Sequence, residues 1–347
     1  MGGVADEPSM RASPEFELIA KIRERLARAG AGSGADAPER IRLGAGDDAA
    51  ITVPGGATAT TIDATVEGIH FRSGWCPPHS VGRKAMATAL SDLAAMGAEP
   101  GEAYVWVGRP PWLDPEGVLE LCDGLAAVAA AAGVAIAGGD LTAAPELAVS
   151  VTAVGHAPTE ADFVRRSGAE PGDALCVTGA LGGAAAGLML LEHPDLGGEE
   201  ISAEADVAAC QRQLDPRPRI EAGRLLAGAG AKAMIDVSDG LGADAEHLAE
   251  ASGVAIEIEL ERVPLATGVA EIAAAAGRDV YEFAAGGEDY ELLVVLPRSG
   301  LQRAASVLEP AGVPLAEIGR ITAGRGVRLR LPGGRSLPMT GHDQLRS

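Results

Sequence analysis

Between residues 41 and 154, short runs rich in Val, Ile and Thr alternate with longer runs of helical periodicity, and the alternation resumes after residue 172. Each short run is too brief to bury itself, so strands must share sheets that the intervening helices cover, which is the α/β arrangement. The first round has strand-length runs at 41–43, 49–53, 57–62, 103–107, 134–137 and 147–154, with helices at 15–29, 81–100 and 115–132. The second has strands at 174–177, 233–237, 254–260, 292–296 and 327–331, with helices at 179–191, 220–229, 241–251, 268–276 and 301–311. A Pro-, Thr- and Gly-rich stretch at 155–172 interrupts the rhythm. At 347 residues the chain suits roughly two domains of ~150 residues. The expected division is a disordered lead-in at 1–14, an α/β domain at 15–157 and a second α/β domain at 158–347.

The helix at 81–100, VGRKAMATALSDLAAMGAEP, organises the first round. Ala85, Ala89, Leu93 and Met96, with Met86 and Leu90 beside them, draw an apolar stripe at steps of three and four. Asp92 follows Leu90 by two positions, which sets its carboxylate at the rim of that stripe. A single helical Asp is ordinarily a solvated flank residue; its companions elsewhere in the chain give it weight.

Those companions share a pattern. Asp48 (in LGAGDDAAI), Asp63 (TATTIDATVEGIHF), Asp140 (GVAIAGGDLT), Asp236 and Asp239 (AMIDVSDGL) are the further acidic stations, and Asp63, Asp140 and Asp236 stand at or just past the end of an apolar run. In α/β sheets that is where ligand crevices form. Each acid alone also reads as a turn residue; together they read as carboxylates converging on divalent metal, for which Mg²⁺ with its preference for hard oxygen ligands is the natural candidate. Charge points the same way. With 49 acids against 28 bases the net charge is −21, which repels nucleic acid and anionic membranes and leaves phosphate handling to bound cations. Aromatics at 3% leave few rings for stacking on bases.

GALGGAAAG at 179–187 follows a strand and opens a helix. It either offers backbone N–H groups to a phosphate or lets helices pack closely; it lacks the Gly-Lys-Ser/Thr ending of a P-loop. Cys76, Cys122, Cys176 and Cys210 are scattered without a C-x-x-C pair, so reduced thiols in a cytoplasm are expected rather than zinc or a disulfide framework. The first residues, MGGVADEPSM, show no signal-peptide pattern, and the longest uncharged run, 124–139, is short of the ~18 apolar residues of a membrane span.

GDDAA, D-x-x-VEGIHF, GRKAMATALSDLAAMGAEP, GGD, VTG-x-LG, RPRI-x-x-G, IDVSDGL-x-AD-x-x-H and GGEDYEL occur in this order from Asp47 to Leu292. Together they resemble the thiamine-monophosphate kinase family, within the superfamily that includes aminoimidazole ribonucleotide synthetase. The resemblance implies two α/β domains of that superfamily's type, an N-terminal domain that forms a homodimer, several Mg²⁺ ions, ATP as co-substrate and thiamine monophosphate as acceptor. It implies metal ligation by Asp48, Asp63, Asp92, Asp140, Asp236 and Asp239, with Thr61 beside them. It implies ATP contacts at Gly139, Asp140, Arg166 and Ser238, and substrate contacts at His70 and Glu288. Lys84 is a further candidate for reaching a phosphate, the alternative being a solvated helical Lys. His342 stands where the family often places an aromatic residue over thiamine. Other departures are Ile62 ahead of Asp63, Ala89 for a common Asn, Leu141 after the GGD, and Gly183-Ala184 for a frequent Asp-Ser. No general base is expected, because a phosphate acceptor is already largely anionic near neutral pH. Selenophosphate synthetase and aminoimidazole ribonucleotide synthetase fit these motifs less well, and a non-catalytic nucleotide-binding dimer is the rival of a different class.

Overall fold

The computed structural model describes residues 14–32, 39–45, 48–196, 200–333 and 336–337. The expected lead-in, apart from Pro14, Asp47 of the GDD motif and His342 lie outside these. The described chain divides into two compact units. One takes the residues up to Pro54, Ile62–Met86 and Gly101–Ala153; the other takes Gly55–Thr61, Ala87–Pro100 and the residues from Val154 on.

In chain order the first elements are α1 (Pro14–Arg28), β1 (Ile41–Leu43), β2 (Ile51–Thr52), β3 (Ala57–Val66), α2 (Pro78–Ala95), β4 (Glu99–Arg109), α3 (Pro115–Ala131), β5 (Ala135–Ala143) and β6 (Ala148–Ala157). β1 and β2 form an antiparallel pair. The four-stranded sheet runs in the order β3-β6-β4-β5, with β4 and β5 parallel and Trp106 opposite Asp140. Parallel neighbours need a crossover, and α3 supplies it. Asp114 caps that helix by accepting the Gly117 N–H at 2.8 Å, with Pro115 in the first turn.

The expected stripe on α2 is only part of what is covered. Ala85, Met86, Ala89, Leu90 and Leu93 are at most 2% exposed, but so are Lys84 and Ser91. Little of the helix is left to solvent, Arg83 and Asp92 being half-buried, and glycines let its neighbours' backbones approach. In the first unit, a Cβ on Gly124 of α3 would stand 1.9 Å from the His79 carbonyl oxygen. In the second, a Cβ on Gly223 would stand 2.0 Å from that of Ala94.

The remaining elements are β7 (Ala174–Thr178), α4 (Gly183–Glu192), α5 (Ala203–Leu214), α6 (Ile220–Ala229), β8 (Ala233–Asp236), α7 (Leu241–Ser252), β9 (Ala255–Glu259), α8 (Val269–Ala275), α9 (Val280–Ala284), β10 (Leu292–Leu296), α10 (Leu301–Leu308), β11 (Leu315–Thr322), β12 (Gly326–Arg330) and β13 (Ser336–Leu337). A seven-stranded sheet orders them β13-β12-β9-β11-β7-β10-β8. β7, β8 and β10 are buried along their whole length. That is why their sequences read as unbroken apolar runs rather than alternations. The two-residue period still sorts their side chains. Leu175, Val177, Ile235, Leu293 and Val295 join one core with Leu241 and Leu248 of α7. Cys176, Met234, Leu292, Val294 and Leu296 join another with Leu226 of α6 and Leu308 of α10.

Four elements, α5, α9, β11 and the two-residue β13, are absent from the sequence expectation, and the helix expected at 81–100 ends at Ala95, with β4 starting at Glu99. α5 begins inside what reads as an acidic stretch, yet its signals are present: Ser202 caps it by accepting the Ala205 N–H, and Glu204 and Asp206 occupy the first turn, where the helix dipole favours acids. α9 is five residues long and has no room for periodicity. β11 is broken in pattern by a register irregularity between Glu317 and Gly319, which shifts the alternation midway. Cys76, Cys122, Cys176 and Cys210 are all unpaired, and burial pushes the thiols of Cys122 and Cys176 up to about 12.

Candidate functional site

The second unit gathers the acids of two motifs around the C-terminal end of β8. Asp236, the last residue of that strand and 3% exposed, accepts a hydrogen bond from the Ser91 hydroxyl at 2.6 Å. Asp92, next to Ser91 on α2 and half-buried as its rim position implies, accepts one from the Thr61 hydroxyl of β3. Three of the expected metal-binding residues, Thr61, Asp92 and Asp236, are thus brought into one neighbourhood through Ser91.

Beyond Asp236 the chain turns through Ser238, Asp239 and Gly240 into α7. The N–H groups of all three turn residues donate to Oδ2 of Asp244, at 3.0, 3.2 and 3.1 Å. A buried helix start needs such acceptors, and Asp244, 1% exposed, supplies them from inside the helix itself. Burial raises the Asp244 carboxyl, the charges of Asp236 and Asp239 raise it further, and the Gly240 and Ser238 N–H groups only partly oppose them; the result is about 8. Carboxylates packed this closely want a cation, and their hard oxygens suit a divalent one. Among the described residues no three His, Cys, Asp or Glu side chains converge closely enough to enclose a metal by themselves. Mg²⁺ fits such a sparse donor set, since it keeps several waters and takes phosphate oxygens from substrates.

The GGEDYEL loop lies directly against this turn. A Cβ on Gly287 would stand 2.3 Å from the Ser238 carbonyl oxygen, and the Glu288 N–H donates to that same oxygen at 2.8 Å. Glu288 and Tyr290 adopt φ of 62° and 51°, conformations that side chains seldom tolerate and that surrounding contacts must hold. Those contacts are strong. Glu291, with a fully buried side chain, accepts two hydrogen bonds from Arg219 at 2.7 and 2.6 Å, one from Arg212 at 3.2 Å and one from the Thr178 hydroxyl at 2.8 Å. Asp289 accepts the N–H groups of Gly182 at 2.6 Å and Ala184 at 3.0 Å. Burial nevertheless pushes the Asp289 carboxyl up to about 6, against the pull of Arg212 and those two donors, with Glu291 adding to the rise. Gln213 donates to Glu288 Oε2 at 2.5 Å.

This settles the glycine-rich stretch at 179–187. N–H groups at the start of α4 serve Asp289 rather than a phosphate, and a Cβ on Gly187 would stand 2.1 Å from the Ala209 carbonyl oxygen of α5. Close helix packing is its role. Arg212, Gln213, Arg219, Asp244, Asp289 and Glu291 were not singled out from sequence. Arg219, Asp244, Asp289 and Glu291 do lie within the motifs quoted above, and Arg212 and Gln213 belong to α5, a helix absent from the sequence expectation.

In the first unit, Asp63 of β3 is half-buried and accepts the Ala64 N–H at 2.9 Å. Asp140 is exposed on β5 next to exposed Gly139, and it accepts from the Thr142 hydroxyl at 3.0 Å, which in turn accepts from the Trp106 indole at 3.3 Å. Asp48 is exposed. His70 Nδ1 accepts the Val66 N–H at 3.1 Å, which leaves the proton of the neutral ring on Nε2. The Lys84 ammonium donates to the His70 carbonyl oxygen at 3.1 Å. At 2% exposure Lys84 is not the solvated helical Lys of the alternative reading; it braces the backbone of His70. In the second unit, Arg166 is exposed and its carbonyl accepts from the Ser252 hydroxyl, while Ser238 and Asp239 are half-buried.

Comparison with known proteins agrees with this architecture. The model of the AIR synthase related protein N-terminal domain matches residues 46–157, and that of the C-terminal domain matches residues 170–332. A thiamine-monophosphate kinase of Mycobacterium tuberculosis is 40% identical over 293 residues, covering 83% of this chain and 82% of the relative. One from Caulobacter vibrioides is 35% identical, covering 93% and 88%. The crystal structure of thiamine-monophosphate kinase from Stenotrophomonas maltophilia K279a superposes with a TM-score of 0.80 at 33% identity, covering 93% of this chain and 98% of that one. A structure of AaThiL complexed with AMPPCP and TMP superposes with a TM-score of 0.73 at 31% identity, covering 97% and 99%. With both domains matched and these motifs in place, the chain belongs to the thiamine-monophosphate kinase family of AIR synthase related proteins.

Proposed function

We propose that the chain is a cytoplasmic, Mg²⁺-dependent enzyme that transfers the γ-phosphoryl group of ATP to the phosphate of thiamine monophosphate, giving thiamine diphosphate and ADP. The observation that carries this reading is the cluster in which Ser91 holds Asp236, Thr61 holds Asp92, and burial with two neighbouring carboxylates raises Asp244 to about 8. Membership of the family and the relative complexed with AMPPCP and TMP support the choice of substrates.

The chemical problem is charge rather than nucleophilicity. The acceptor oxygen belongs to a phosphate whose second pKa is about 6, so no side chain has to remove a proton. Two unit charges ~4 Å apart repel by about 4 kcal/mol at an effective dielectric of ~20, and several such pairs must meet in line. Mg²⁺ held by Asp48, Asp63, Asp92, Asp140, Asp236 and Asp239, with Thr61, would offset that repulsion and align donor with acceptor. Ser91 and Thr61 keep Asp236 and Asp92 aimed, so the carboxylates need little rearrangement when the phosphates arrive. Gly139, Asp140, Arg166, Ser238 and Lys84 form the ATP side of the reading; His70, Glu288 and His342 form the thiamine side. The reading also assigns domains at 15–157 and 158–347 and a homodimer through the N-terminal one, where Ile62 and Trp106 stand exposed at 71% and 38%.

Incubating the purified protein with ATP, Mg²⁺ and thiamine monophosphate and separating the thiamine species tests the proposal. Thiamine diphosphate forming in step with ADP, and only with Mg²⁺, is the expected result. ATP turnover or binding without thiamine diphosphate would refute it.

A further inference from the structure

The last turn of α5 reaches into the loop that carries Glu288. Gln213, 2% exposed, donates from Nε2 to Glu288 Oε2 at 2.5 Å, and its neighbour Arg212 grips Glu291 three residues further along the loop. The Glu288 backbone is fixed in its left-handed conformation by the bond from its N–H to the Ser238 carbonyl and by the tight seat of Gly287. The buried Gln213 amide holds the side chain in turn.

Of the three acids in the loop, Asp289 accepts backbone N–H groups, and Glu288 and Glu291 meet different side-chain donors. Glu291 receives two guanidinium groups, which cancel its charge as well as orient it. Glu288 receives a neutral amide donor from Gln213. We infer that Gln213 is a positioning residue for acceptor recognition: it aims the Glu288 carboxylate at a cationic or N–H-donating group of the acceptor molecule. The inference rests on the reading of Glu288 as a substrate contact.

Steady-state kinetics with thiamine monophosphate and ATP varied separately, on Gln213→Met, Glu288→Gln and the double variant, test it. Gln213→Met keeps the volume and removes the donor. It is expected to raise KM for thiamine monophosphate about 10-fold, the loss of one hydrogen bond to a charged group, with KM for ATP and kcat within about twofold. Glu288→Gln is expected to raise the same KM at least as far, and the double variant to add little to it, because both changes break one interaction. Gln213→Glu, which keeps the length but turns the donor into an acceptor, supplies the same test should the Met variant not fold. A KM that rises in Glu288→Gln but not in the position-213 variants overturns the inference while the reading of Glu288 stands. A KM unmoved in both overturns that reading and the inference with it. Equal rises in both KM values alongside a lowered melting temperature would mark Gln213 as structural only and also overturn it.

Discussion

Two helix starts in the second unit are built alike and charged differently. At the start of α4, buried Asp289 accepts backbone N–H groups from Gly182 and Ala184; at the start of α7, buried Asp244 accepts those of Ser238, Asp239 and Gly240. Each helix N-terminus, a ready anion site, is thereby filled from within the chain. Arg212 lies 4.0 Å from Asp289 and, with Arg219, neutralises its neighbour Glu291. Asp244 instead feels Asp236 and Asp239. Burial raises both carboxyls, to about 6 beside the arginines and about 8 beside the acids. The first cluster is balanced by the protein's own cations and serves structure. The second has no such balance from Arg212 or Arg219, and it is the one we propose is completed by a divalent cation.

The sharpest way to break this contrast is to remove one charged residue from each cluster, an acid from one and a base from the other, and ask what is lost. Asp236→Asn keeps an acceptor for Ser91 but removes a charge. Turnover should fall about 1,000-fold, roughly 4 kcal/mol of transition-state stabilisation, while the thermal midpoint moves little. An activity within tenfold of the parent would remove Asp236 from the chemistry. Arg219→Met does the opposite: it leaves Glu291 buried with only Arg212 to balance it. It should cost about 4 kcal/mol of stability by denaturant titration, and a loss under about 1 kcal/mol would show that the Glu291 cluster is not what holds the loop.

The pH dependence of stability gives a smaller and more local effect. The folded Asp289 carboxyl sits at about 6 against an ordinary 3.8, so the folded state holds its proton more tightly than the unfolded chain does. Its contribution to stability is therefore greatest below pH about 4, is lost as pH rises to about 6 and is flat above, about 3 kcal/mol in all. Asp289→Asn has one acceptor oxygen for two N–H groups, so it should be less stable overall but lack that slope in denaturant titrations between pH 4 and 6. A slope identical in parent and variant would contradict the assignment.

Asp236 was legible because it ends β8, where the apolar run stops, whereas Asp63 and Asp140 lie inside β3 and β5, strands that continue past the apolar runs that mark them in the sequence. Asp92 was legible as a rim residue because helical periodicity places it. What escaped was pairing at long range. Glu291 meets Thr178, Arg212 and Arg219 across 113, 79 and 72 residues, and no local pattern encodes such partners. The same holds for the glycine-rich stretch: packing and phosphate binding demand the same small residues, and only Asp289, 107 residues from Gly182, decides between them. Lys84 shows the limit of periodicity, since it lies off the apolar stripe and is still only 2% exposed.

The central claim is that the acids around the end of β8 are completed by divalent metal. Electron paramagnetic resonance of free Mn²⁺, titrated into the parent and into Asp236→Asn with a non-hydrolysable ATP analogue present, tests it most directly. The account predicts fewer bound ions, or binding at least tenfold weaker, in Asp236→Asn, with Arg219→Met binding like the parent. Equal Mn²⁺ binding by the parent and Asp236→Asn would contradict it.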